Sequence, residues 1–88
     1  MKSEKRDGCL ILFIEGLIDL HQVDDMRDQL TEHLAAEPVG KVILNCRKVL
    51  RMDSSGVGLF IFLKSRYKDK IVFRICELPE RVLELFRM

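Results

Sequence analysis

Net charge is almost absent: fifteen Lys and Arg against fourteen Asp and Glu leave the 88-residue chain at +1. That balance gives no electrostatic reason to expect nucleic acid or an anionic membrane as a partner. The one local basic cluster, Lys2, Lys5 and Arg6, reads as a solvated terminus. Long apolar runs are missing too. The run nearest the N-terminus, Cys9 to Ile14, is too short for the hydrophobic region of a secretion signal, and a bilayer span needs about 20 apolar residues. The expectation is a soluble, cytoplasmic protein. Cysteines are few and odd in number: Cys9, Cys46 and Cys76 form no Cys-x-x-Cys pair, and neither His21 nor His33 has one at metal-ligand spacing. Each falls in or beside an apolar strand pattern, where a free thiol behaves as a small hydrophobe in a reducing compartment. No metal or cofactor is expected.

Catalytic signatures are also lacking. Neither Gly-x-Ser-x-Gly nor a Walker loop occurs, and Gly56-Val57-Gly58 alone is not a dinucleotide fingerprint. A histidine base would have to be His21 or His33, and both read as ordinary surface or boundary residues. The chain is not expected to be an enzyme. There are no repeats, linkers or low-complexity segments, and 88 residues leave room for one core, so residues 1–88 read as a single domain.

What is present is an alternation of strand and helix patterns. Cys9 to Glu15 is a continuous apolar run bounded by Gly8 and Gly16, which reads as a buried strand. Val23, Met26, Leu30 and Leu34 then recur at helical spacing. Asp19 with Gln22 resembles a capping box ahead of that helix, and Pro38 with Gly40 ends it by about Ala36. Residues 41–46 read as a second strand and Ile71 to Cys76 as a third core strand. Pro79 suits the first turn of a final helix with Val82, Leu83 and Phe86 along its apolar edge. The segment from Val57 to about Lys68 is ambiguous. Its β-forming residues and lack of a polar stripe suit a strand, whereas its length, its Asp-Ser-Ser start and its basic end favour a helix. A helix so apolar needs covering by the sheet and by a neighbouring helix or a partner subunit. The order strand–helix–strand–helix–strand–helix calls for an α/β sheet with right-handed crossovers.

Arg51-Met52-Asp53-Ser54-Ser55-Gly56-Val57-Gly58 joins the second strand to the ambiguous segment. Asp and Ser side chains accept hydrogen bonds from the first free N–H groups of a helix, and the two glycines leave the helix start unshielded. A serine there caps the helix, worth about 1 kcal/mol, or serves as a phosphorylation site. With two serines and one cap to fill, both roles fit.

These residues resemble the STAS domain, the fold of bacterial anti-sigma factor antagonists. Gly16-Leu17-Ile18-Asp19 is similar to the family's Gly-x-Leu-Asp after its early strand. Val42-Ile43-Leu44-Asn45 followed by Met52-Asp53-Ser54-Ser55-Gly56-Val57-Gly58 is similar to the family's strand and Asp-Ser-Ser-Gly-Leu-Gly signature. The resemblance covers about residues 9–86 and implies a small mixed β-sheet flanked by helices. Relatives usually run on through another strand and a C-terminal helix, so the domain reads as C-terminally short, with apolar surface open to self-association as a possible homodimer. The resemblance further implies a protein that, when unphosphorylated, binds an anti-sigma factor that is also a serine kinase, and so regulates sigma-factor-dependent transcription. Phosphorylation at Ser54 would switch it off and a serine phosphatase would restore it. Asp19, Asp53, Ser54, Ser55, Gly56 and Val57 would form the partner-binding site. Two other readings compete: a STAS-like scaffold subunit of a stress-signalling or lipid-transport complex, with Ser54 only a cap, and a small hydrolase using Ser54 or Ser55 with a histidine.

Overall fold

The computed structural model describes residues 1–36 and 39–86. Pro38, invoked above, lies outside these residues, as does the side chain of Phe86. The elements are β1 (Lys2–Arg6), β2 (Cys9–Ile18), α1 (Val23–Ala36), β3 (Lys41–Met52), α2 (Ser54–Arg66), β4 (Val72–Cys76) and α3 (Glu80–Phe86). The strands form one sheet in the order β1-β2-β3-β4. β1 runs antiparallel to β2, whereas β2, β3 and β4 are parallel, joined by crossovers through α1 and α2.

The basic terminus is solvated, as expected, and it is also a strand. Lys2–Arg6 is a strand, turned onto β2 by Asp7 and Gly8 at φ 51° and 76°. Positive φ at both central residues is the geometry of a two-residue hairpin whose twist matches its strands, and Asp-Gly favours it. All five β1 residues are exposed, so no buried alternation marked the strand.

The core lies on one face of the sheet. Leu10, Leu12 and Ile14 of β2 and Val42, Leu44 and Cys46 of β3 point into it, each at most 1% exposed. Above them pack Leu30 and Leu34 of α1, Leu59, Phe60 and Leu63 of α2, and Val82 of α3. Each such aliphatic side chain contributes about 1.5–3 kcal/mol on burial. α3 is secured further by Arg81, whose Nε donates to the Leu50 carbonyl at 2.9 Å. Pro79 stands just ahead of α3, its carbonyl accepting from the Val82 and Leu83 amides, rather than inside the first turn. Val82 takes the buried position and Leu83 is only half-buried.

β3 continues to Met52, six residues past the expected end at Cys46. It carries two bulges: from Asn45 to Lys48 it advances three residues while β2 advances two, and from Val49 to Arg51 two while β2 advances one. Each extra residue shifts the phase, so the buried positions become Cys46, Val49 and Met52. β2 likewise continues through Gly16, at φ 86°, to Ile18. β4 is not a core strand; it is the sheet's edge, with Val72 57% and Ile75 38% exposed.

The ambiguous segment is helix α2, starting at Ser54. Gly56, Leu59, Phe60 and Leu63 face the core, while Ile61 is 63% exposed. Phe62, on the outer surface, is flanked by the guanidinium groups of Arg27 from α1 and Arg66, each 5.9 Å from the ring centroid. Arginine stems and cation–π contact, more than apolar packing, cover that side.

Candidate functional site

The parallel β2–β3 pair ends with Ile18 opposite Met52, which delivers two turns to the same end of the sheet. One turn runs from Asp19 into α1 and the other is Asp53 at the start of α2. Asp53 is the N-cap of α2, extended at φ −109° and ψ −171°. Its Oδ1 accepts from the Ser55 amide at 2.8 Å, and its backbone carbonyl from the Gly56 amide at 3.0 Å. The second carboxylate oxygen reaches across: Oδ2 accepts from the Leu20 amide at 3.2 Å, while the Asp53 amide donates to the Ile18 carbonyl at 3.2 Å. Asp53 therefore caps one element and clasps the turn before another. Asp19 shapes that turn, its Oδ1 accepting from the His21 and Gln22 amides at 3.0 and 3.1 Å.

These bonds set the charge state of Asp53. Partial desolvation pushes its carboxyl up, but the amides of Ser55, Leu20 and Gly56 and the Ser55 hydroxyl outweigh it, and the group lies below the usual carboxylate range. A pKa depressed in the folded state stabilises the fold above the unfolded value and is lost as pH falls through the folded one. Asp53→Asn keeps a capping side chain but loses the charge. Its thermal midpoint should lie below that of the wild type at neutral pH, and the gap should narrow on acidification. A gap independent of pH would show that the carboxylate's ionisation contributes nothing.

Ser54 is the first residue of α2 and is exposed, whereas Ser55 is half-buried and engaged with Asp53 through its amide and hydroxyl. No hydrogen bond to the Ser54 hydroxyl is found among the described residues. The helix start thus uses Asp53 and Ser55 for its own closure and leaves Ser54 to solvent.

Gly56 does not unshield the helix N-terminus; it is buried against β2 and β3. A Cβ there would come within 2.4 Å of Met52 Cγ and 3.0 Å of Ile18 Cγ2. Only glycine lets α2 approach this closely. Val57 also packs inward, against the core cluster. Of the six residues expected to form a partner site, Asp19, Asp53, Ser54 and Ser55 line the surface at this end, and Gly56 and Val57 support it from beneath.

Two exposed residues join them: Leu17 at 45% and Leu20 at 68%. The sequence reading quotes Leu17 within the Gly16–Asp19 motif without giving it a contact role and passes over Leu20, although a leucine directly after the turn-forming Asp19 is a signal that could have marked it. Beside Leu17, where β1 stops short and leaves the last residues of β2 unpaired on that side, lies a cleft of about 400 Å³ that includes Glu15, Gln22 and Asp25.

Neither imidazole hydrogen-bonds to Ser54 or Ser55 among the described residues, where His21 is exposed and His33 half-buried. The described residues also hold no cluster of three or more His, Cys, Asp or Glu side chains able to take a metal ion. All three cysteines are free. Burial, reinforced by nearby Cys76, pushes the Cys46 thiol up to about 12, which keeps it protonated and unreactive. No described helix is long and apolar enough to cross a membrane.

A family model of the STAS domain matches residues 1–88. A curated relative, the anti-sigma F factor antagonist of Paenibacillus polymyxa, is 31% identical over 68 residues, which is 77% of this chain and 56% of that protein. The chain thus spans little more than half of that relative's length. Among solved structures, the anti-sigma factor antagonist SpoIIAA in its unphosphorylated form superimposes with a TM-score of 0.77 over 98% of this chain and 76% of its own. At 23% identity that likeness is one of fold. Mglu matches with a TM-score of 0.72 and 26% identity, covering 92% of this chain but 20% of its own, so the same fold recurs as a small part of a longer polypeptide.

Proposed function

Because the chain belongs to the STAS domain family, we propose that it is an anti-sigma factor antagonist, controlled by phosphorylation of Ser54. The observation that carries this reading is the division of labour at the start of α2: Asp53 and Ser55 close the helix, and the Ser54 hydroxyl stands free at its tip. A kinase can take that hydroxyl without dismantling the cap. The partner is an anti-sigma factor that is also a serine kinase, and a serine phosphatase resets the switch. Leu20, exposed and bonded through its amide to Asp53, provides apolar contact beside this helix start, so the unmodified surface is one a partner can dry.

Phosphorylation inverts that surface. The phosphate brings about −1.5 to −2 charge at neutral pH. The α2 dipole offsets a fraction of it, about 0.3–1 kcal/mol, while the Asp53 and Asp19 carboxylates oppose it. The fold tolerates the modification; the docked complex does not, since a dianion must then be desolvated against the partner. Incubation with ATP and an anti-sigma factor kinase, followed by phosphopeptide mapping, should place phosphate on Ser54 alone. Phosphate on Ser55, or an unmodified loop with every such kinase, would overturn the proposal. An unmodified loop together with co-purification in a large assembly would favour a scaffold subunit without a switch.

A further inference from the structure

We propose that the face of the sheet opposite the helices is a second docking surface, which takes an amphipathic helix with acidic flanks from a partner protein. It is separate from Ser54 and does not depend on the switch. Strand pairing puts Cys9, Ile11 and Phe13 of β2 and Ile43 of β3 together on this face. All are only half-buried, and none belongs to the core cluster or packs against it. Parallel sheets are normally covered on both faces, and their strands read as unbroken apolar runs for that reason. Cys9–Ile14 is such a run, yet among the described residues no helix covers its outer side.

The charges identify the occupant. The register places Lys2, Glu4 and Arg6 of β1 along one side of the apolar strip, Arg74 of β4 between Val72 and Cys76 along the other, and Lys41 of β3 at its end opposite Cys9. Four basic side chains thus border the strip against one carboxylate, and that carboxylate, Glu4, is already paired with Arg6. Lys2 lies over the Phe13 ring at 5.9 Å. Two further acids sit at the far end of the face, each matched locally: Glu15 opposite Lys48, and Glu77 accepting from Asn45 at 2.7 Å. Residues that look scattered along the chain are gathered into a basic border by the hairpin and the parallel register.

The outer strands lie three spacings apart, about 14 Å. A helix is about 10–12 Å across, so one laid over β2 and β3 would place its flanking side chains above the border. Acidic flanks satisfy that border. A second copy fits poorly: the most acidic exposed segment here is α1, with Asp24, Asp25, Asp28 and Glu32, but its apolar residues already face its own core. A membrane fits poorly as well, since Val72 alone stands proud and the other apolar side chains are flanked by exposed charges.

Two stapled helical peptides with the same leucine stripe, one flanked by glutamates and the other by lysines, test the proposal by fluorescence anisotropy and NMR. The glutamate peptide should bind about tenfold or more tightly than the lysine peptide and shift the Ile11 and Ile43 methyl signals. Lys41→Glu combined with Arg74→Glu, both exposed positions, should remove most of that preference, whereas Ser54→Asp should leave it intact. Equal binding of the two peptides, or shifts confined to α1 and α2, would overturn it. So would tighter, Lys41- and Arg74-dependent binding to phosphatidylserine vesicles, or a dimer of the protein alone that shifts those methyl signals.

Discussion

Ser54→Asp is expected to weaken binding to an anti-sigma factor kinase by about two to three orders of magnitude, while Ser54→Ala binds like the wild type. The hydroxyl makes no bond among the described residues, so removing it costs the fold little. Adding a carboxylate places like charge beside Asp53 and Asp19 at the centre of the proposed docking surface. Truncating or opposing a desolvated charge at an interface costs about 2–5 kcal/mol, and each 1.4 kcal/mol is a factor of ten. Calorimetric titration of both variants against one kinase reads the difference directly, and equal affinities would sink the switch. Both variants should keep the wild-type melting point within a few degrees, because Asp53 rather than Ser54 is the cap. That separates loss of the partner from loss of the fold.

Gly56→Val should be the most damaging single substitution at the site for stability itself. Its first carbon alone would overlap Met52 Cγ at 2.4 Å, and Met52 is only 6% exposed, with little room to swing away. Overpacking of this kind costs about 1–3 kcal/mol, with the branched side chain at the upper end. For a domain of this size each kcal/mol moves the melting point by about 4–8 °C, so a fall of about 10–20 °C is expected. Gly58→Ala provides the contrast. Nothing lies within 4 Å of its Cβ position, and an interior helical glycine replaced by alanine gains about 0.5–1 kcal/mol. If the two substitutions melted alike, the close approach of α2 to Ile18 and Met52 would be wrong.

The parallel core, α1 and the capped start of α2 were legible because each follows a local rule. Apolar runs marked β2 and the first half of β3, helical spacing marked α1, and an Asp-Ser-Ser start outweighed the β-forming residues of α2. The features that were missed depend on pairing. β1 has no buried residue, so only Asp7-Gly8 hinted at it. The second half of β3 was hidden by its bulges, which give Cys46, Val49 and Met52 a spacing of three that suits neither a flat strand nor a helix. Gly56 looked like an opening in the helix because the side chains that crowd it come from two strands. The bond from the Leu20 amide to Asp53 spans 33 positions and has no signature in either turn taken alone.

That bond makes the readiness of the serine a property of the finished molecule. A chain whose second and third strands have not yet zipped together owns Asp19, Asp53 and Ser54 but has no platform for the hydroxyl. If Ser54 is modified as proposed, an enzyme that recognises the assembled mount would act only on chains that have completed the β2–β3 pairing, and would pass over those still folding.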